Sequence, residues 1–291
     1  MYCSVRDAVL MEAFDTPLAG LRHLGIDALE LELNGAFEVV DIETGEKTPL
    51  ATDAQAEAYR KHLDTLGVYG CSLLTACDFS SGTPAQNVKW LVRAVELAAL
   101  LGTTNIRVDS HMSKEHALDF GARVALFATQ LREVLDATSG ISVALGIENH
   151  GHQGNNLAFQ LNVYEAVGSE RLGATLDTGN FYWRGYPLSE VYGILNILAP
   201  YTKHTHLKNI RYPEETREQF REAGWRYGDC VCPLGEGDID HAHVLALLRK
   251  AAYNGDLCIE DEALGTFLRE ERVAVLERDV AHVARLLDAV P

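Results

Sequence analysis

Three carboxylates and one imidazole recur at strand-sized intervals in this 291-residue chain: Glu148, Asp177, His206 and Glu260. Each stands at the end of a short run with strand character. Successive strand side chains point to opposite faces, so counting by twos sorts them. The first run is Ile141-Ser142-Val143-Ala144-Leu145, which continues into Gly146-Ile147-Glu148. There Val143, Leu145 and Ile147 share an outer face, and Ala144, Gly146 and Glu148 an inner one. Thr175 and Asp177 lie inward in Leu172–Asp177, and His204, His206 and Lys208 in Lys203–Lys208. Cys258 and Glu260 do the same in Asp256–Glu260. Carboxylates converging on one mouth repel unless a cation sits among them. The chemistry expected is therefore the binding of one divalent metal ion. An oxygen-rich shell with one imidazole suits Mn²⁺ best, with Mg²⁺, Co²⁺ or Zn²⁺ as alternatives.

These residues need strands to carry them and helices to join the strands. The pattern reads strand then helix, eight times. Strands are expected at Tyr2–Arg6, Ala28–Leu33, Tyr69–Leu74 and Asn105–Asp109, then over the run from Ile141, up to Asp177, at His204–Lys208 and at Leu257–Glu260. Helices are expected over Pro17–Leu24, from Thr52-Asp53 to before Gly67, from Thr83-Pro84 to Gly102, and over Ala117–Ala137 and Ala158–Val167. The last three run from Pro187 to Pro200, after a cap at Asp238 or Asp240, and over Phe267–Val290. Cap residues, proline in the first turn and glycine past the end mark several of these boundaries. Eight alternations imply a parallel sheet closed into an α/β (β/α)8 TIM barrel, one domain over residues 1–291, with its chemistry at the C-terminal strand ends. The segment 209–237 is too long for a simple connection and should lie over the mouth as a lid.

Composition narrows the function classes. Hydrophobic residues make up 47%, charged residues 23%, and the formal net charge is −17. That balance offers nucleic acid no basic footprint and argues against anionic membranes. No run is long enough to span a membrane and no leader pattern opens the chain, so a cytoplasmic protein with reduced thiols is expected. Cys230-Val231-Cys232 has no second pair, so it is a weak metal or redox motif.

The remaining candidates are weighed against plainer readings. His204 lies one layer deeper than His206 and reads as a packed core histidine. Arg107 and Asp109 read as an internal ion pair, with Arg107 still a candidate substrate contact. His150, Lys208, Glu32 and Trp183 are candidate substrate contacts, and Trp225 a lid residue.

Taken together, the motifs Gly146-Ile147-Glu148-Asn149-His150, Leu176-Asp177-Thr178-Gly179-Asn180, His204-Thr205-His206-Leu207-Lys208-Asn209, Leu234-Gly235-Glu236-Gly237-Asp238 and Cys258-Ile259-Glu260 resemble the sugar phosphate isomerase/epimerase superfamily, the xylose isomerase-like TIM barrels. The resemblance implies that Glu148, Asp177, His206 and Glu260 are metal ligands. It also implies that position 180 meets the substrate, although Asn180 stands where many members have histidine. The type IV apurinic endonucleases of the superfamily need that histidine and another at the position of Val231, so DNA repair is not expected. What is expected is an isomerase or epimerase of a small sugar or keto-polyol, acting through a metal-stabilised enediolate with Glu148 and Glu260 moving the proton. The alternatives are a lyase of the inosose dehydratase type, an eliminase on an oxidised sugar, or a barrel that binds sugar without turnover. Homo-oligomerisation is left open.

Overall fold

The computed structural model describes residues 1–289. Eight parallel strands form one sheet: β1 Tyr2–Arg6, β2 Ala28–Leu33, β3 Tyr69–Thr75, β4 Asn105–Val108, β5 Ala144–Glu148, β6 Leu172–Asp177, β7 Thr202–His206 and β8 Asp256–Ile259. Their order in the sheet is β8-β1-β2-β3-β4-β5-β6-β7. The two ends meet through Leu207, just past β7. It bridges Ile259, its N–H donates to Cys258 O at 2.7 Å, and its carbonyl accepts from Glu260 N at 3.0 Å. The result is the expected TIM barrel.

The principal helices are α1 Pro17–Leu24, α2 Asp53–Leu66, α3 Pro84–Leu101, α4 Phe120–Ala137, α5 Leu157–Val167, α6 Leu188–Leu198, α7 His241–Lys250 and α8 Arg269–Asp288. Thr52 and Thr83 close capping boxes with Gln55 and Gln86, which fixes where α2 and α3 begin. Helix α4 starts later than expected, because Asp119 caps it by accepting from Ala122 N. Asp240, not Asp238, caps α7. Helix α6 ends at Leu198, and Pro200 falls in a 3₁₀ turn over Ala199–Tyr201. The expected end of α8 at Val290 lies outside the described residues.

Most strand boundaries shift by a residue or two, and those of β5 and β7 bear on the site. β5 begins at Ala144, because Ile141 N is tied back to Thr138 O in the turn before it. β7 covers Thr202–His206, which leaves Lys208 beyond its end. Among the elements that escaped the sequence reading are a helix at Asp7–Ala13 and a hairpin pairing Glu38–Val40 with Lys47–Pro49. No described helix is long and apolar enough to cross a membrane.

Apolar side chains fill the layer between strands and helices: Leu29, Leu31, Leu33, Ile106, Val108, Leu145, Ile147, Leu257 and Ile259 are all buried. The barrel interior is polar instead, with Ser4, Glu30, Ser72, Thr175 and His204 wholly enclosed. Close strand approach sets the small inner face of β5. A Cβ on Gly146 would stand 2.5 Å from Thr175 Oγ1 and 2.9 Å from Thr175 N. We therefore expect Gly146→Val to destabilise the fold by about 1–3 kcal/mol or more. Thr175→Ala should restore only part of the loss, because the backbone contact persists. Urea unfolding of both variants measures this.

Candidate metal centre

Four strand ends deliver the quartet. Glu148 ends β5, Asp177 ends β6, His206 ends β7 and Glu260 follows β8. Asp177 and His206 are register partners across β6 and β7. Each of the four offers a ligand atom within 4.8 Å of the others, and all four are buried. His206 Nδ1 lies 3.1 Å from Glu148 Oε1 and 3.3 Å from Glu260 Oε2. Bonds of about 2.1 Å meeting near right angles would place neighbouring donors about 3 Å apart, so this spacing suits a small divalent ion. Among the described residues, Asp177 Oδ2 and Glu260 Oε2 are buried and accept no hydrogen bond, although charged nitrogens lie close. The donor set and these free oxygens fit one divalent cation.

Basic groups surround the quartet. Arg107, from β4, donates to Glu148 through Nε at 2.5 Å and pairs with Asp109 at 3.1 Å. The expected Arg107–Asp109 pair therefore exists, and Arg107 also grips a candidate ligand. Lys208 Nζ lies 2.8 Å from Glu260 and 3.2 Å from Asp177, and it contacts Glu262. Arg6, at the end of β1, pairs with Glu260 and approaches Glu30 at 3.6 Å and Glu32 at 3.8 Å. The sequence reading missed Arg6. The same alternation rule marks it, since Ser4 and Arg6 share a face of β1 and Arg6 is in register with Glu30.

Burial alone would raise the carboxyl of Glu148, but Arg107 and then His206 hold it below the usual range. Glu260 is likewise held low against burial, by His206, Lys208 and Arg6. Asp177 goes the other way. Burial pushes it up to about 8 despite Lys208, and Glu260 and Glu148 add to the rise. His206 loses by burial but is held well above its ordinary value by Glu260, Glu30 and Glu148.

The other candidates occupy distinct places. Asn180 is buried, and its amide donates to Glu148 Oε1 at 3.2 Å. Asp177 Oδ1 accepts from the Gly179 and Asn180 N–H groups at 2.8 and 2.6 Å, which orients that carboxylate. His150 is half exposed beside Asp109, 3.3 Å away, and that hydrogen bond raises its pKa. Asp109 and His150 line a cavity of about 250 Å³ together with His111, His116 and His152. Glu32 is half exposed at the rim and touches only Arg6 among the basic groups. Trp183 stands away from the quartet, near His152 and Gly224. His204 is buried as expected, but it is not inert packing: Glu30 and Asp256 lie 2.9 and 2.8 Å from its ring nitrogens.

The segment 209–237 is pinned at its base. Asn209 bonds Leu234 O, Ile239 O and Ile239 N. Asp238 accepts from Tyr182 OH and Tyr212 N and pairs with Arg217 at 2.9 Å. Tyr227, from this segment, donates to Glu262 Oε2 at 2.5 Å, one contact from Lys208. Trp225 packs on Tyr212 within the segment.

Comparisons with known proteins agree with the fold. A family model described as xylose isomerase-like TIM barrel matches residues 18–286. The structure superposes on that of an L-ribulose 3-epimerase with TM-score 0.72 and 18% identity, covering 99% of this chain and 95% of the other. An IOLI protein structure with a binding zinc atom gives 0.72 at 15% identity, over 97% and 98%. A xylose isomerase-like TIM barrel protein from Mycobacterium smegmatis in complex with magnesium gives 0.70 at 17%, over 99% and 97%. A search of curated protein sequences found no match.

An ion held by Asp177 would need that carboxylate ionised. Its raised pKa means a proton must leave when the ion enters, so affinity for Mn²⁺ or Zn²⁺ should fall as pH drops below about 8. Calorimetry in buffers of different ionisation enthalpy should report the released proton. His206→Ala should abolish binding, and His150→Ala should leave it near wild type.

Proposed function

The chain belongs to the xylose isomerase-like TIM-barrel family, and from that premise we propose that it is a divalent-metal-dependent isomerase or epimerase of a small sugar or keto-polyol. The observation that carries this reading is the convergence of Glu148, Asp177, His206 and Glu260 from four consecutive strand ends. These four would hold the ion, with Mn²⁺, Mg²⁺, Co²⁺ and Zn²⁺ all compatible with the donors. Once bound, the ion would supply Lewis-acid polarisation of a sugar carbonyl and its neighbouring hydroxyl.

The chain's own groups do the proton work. Glu148 and Glu260 both approach His206 Nδ1, at 3.1 and 3.3 Å. Arg107 and then His206 keep the first ionised, and His206, Lys208 and Arg6 the second. Each is therefore in the unprotonated form that taking a proton from the carbon beside the carbonyl requires. Return of the proton to the opposite face inverts the stereocentre, and return to the next carbon isomerises the sugar. Asn180, bonded to Glu148, orients that carboxylate where a histidine would have added a titrating group. The cavity at Asp109 and His150 offers hydrogen-bonding groups for the far end of the substrate; Lys208, against Glu260 and Asp177, and Glu32 at the rim would meet the substrate nearer the ion, with Trp183 further out.

A panel of ketoses and inososes, incubated with each metal in D₂O and followed by mass and NMR, tests the reading. The expected product is an isomer carrying deuterium at one carbon. Loss of water would assign a dehydratase instead, and an isomer without deuterium would assign a hydride shift. Glu148→Gln and Glu260→Gln should each lower turnover by about 10²–10⁴-fold. Metal occupancy is measured beside the rate, because both residues are also ligands. Near-native turnover in a metal-loaded Gln variant would remove that residue from the proton chemistry.

A further inference from the structure

Beneath the quartet lies a second set of buried charges that the proposed reaction does not use. Glu30, on β2, divides its two oxygens. Oε2 lies 2.9 Å from His206 Nε2 and Oε1 lies 2.9 Å from His204 Nε2. The other nitrogen of His204 lies 2.8 Å from Asp256 Oδ2, at the start of β8. Tyr253 OH donates to Asp256 Oδ1 at 3.2 Å. The His204 and His206 rings stand edge to face, 5.0 Å apart at 81°, so one carboxylate reaches both. Glu30, His204 and His206 are wholly enclosed and Asp256 nearly so. Acid and base alternate in this string, Asp256, His204, Glu30, His206, from the floor of the barrel to its mouth.

The two nitrogens of His206 face different partners. Nδ1 faces Glu148 and Glu260, and Nε2 faces Glu30 alone among the carboxylates. An imidazole binds a metal through a bare nitrogen, so a bound His206 must carry its proton on Nε2. A carboxylate placed to accept that proton fixes both tautomer and ring plane, and strengthens the opposite nitrogen as a donor. The contact to His206 is an aligned hydrogen bond, whereas the His204 contacts are ion pairs without that alignment. Glu30 therefore acts on His206, and His204 acts to hold Glu30. Ligand atoms of Glu30, His204, His206 and Cys258 also lie within 4.8 Å of one another. The aligned 2.9 Å bond from His206 Nε2 to Glu30 is filled by a proton, and His206 cannot give that nitrogen to a second ion while the bond stands.

We propose that Glu30 is a positioning residue of the metal centre: its carboxylate keeps the proton on His206 Nε2 and so turns Nδ1 to the ion, with His204 and Asp256 bracing Glu30 from below. This rests on the metal reading of the quartet, and the test separates the two. The probe is Zn²⁺, which permits NMR of the loaded protein. Wild type labelled with ¹⁵N-histidine and loaded with Zn²⁺ should show His206 protonated at Nε2 and metal-bound at Nδ1. Glu30→Gln should weaken Zn²⁺ binding by about 10–100-fold and alter the absorption spectrum of the Co²⁺-substituted protein. Asp256→Asn, which touches neither ligand nor ion, should weaken binding less. If wild type binds no Zn²⁺, the metal reading itself falls. If wild type binds and His206 is ligated through Nε2, the positioning role is overturned, and this holds even should the Glu30 variant fail to fold. Wild-type affinity and an unchanged Co²⁺ spectrum in Glu30→Gln overturn it equally.

Discussion

Everything in the barrel mouth answers to one constraint: buried negative charge must be balanced where water cannot do it. Two like charges 4 Å apart repel by about 4 kcal/mol at an effective dielectric of 20. Glu148, Asp177 and Glu260 face one another at that scale, with Glu30 just below. Arg6, Arg107 and Lys208 each lean on one or more of them. Three fixed cations do not match four carboxylates, and the imidazoles take up the difference, which is why His206 holds its proton so tightly and Asp177 gives its own up so late. A divalent ion competes with those protons directly.

The constraint also explains the unusual division of the core. Strand-to-helix packing is apolar, as the outward Leu, Ile and Val positions require. The barrel axis carries ion pairs and hydrogen bonds instead. Breaking one partner of a buried pair commonly costs several kcal/mol because the other charge is left alone. The inner residues are thus tied to one another across β1, β2, β4, β5, β7 and β8, so that the chemistry at the mouth and the integrity of the barrel are one arrangement.

Much of this was legible in the sequence because period-two alternation is a strict geometric rule. Applied to four strands, it marked Glu148, Asp177, His206 and Glu260 before any fold was known, and the burial of His204 with them. The cap residues likewise gave α2 and α3 nearly to the residue. What stayed hidden was pairing across the barrel. Alternation says that Glu30 points inward but not which nitrogen it meets, because that depends on barrel shear and on the register shift between Leu29 and Glu30. Arg6 was passed over as a site residue because β1 is short and mixed in character. The helix Asp7–Ala13 and the hairpin after β2 were missed for a different reason: both lie in connections, where local propensity is weak and tertiary packing decides.

The closure of the barrel is thinnest between β7 and β8. Among the described residues those strands share no ladder of their own, and the seam is carried by Leu207 bonding to Cys258 and Glu260 and by the Thr205 hydroxyl bonding to Asp256 O and Cys258 N. His206 and Glu260 flank it on opposite sides. An ion bridging these two side chains would act as a rivet across the weakest joint of the cylinder, so ligand exchange and breathing of the wall become a single motion. Filling the centre would then stiffen the wall as well as the mouth.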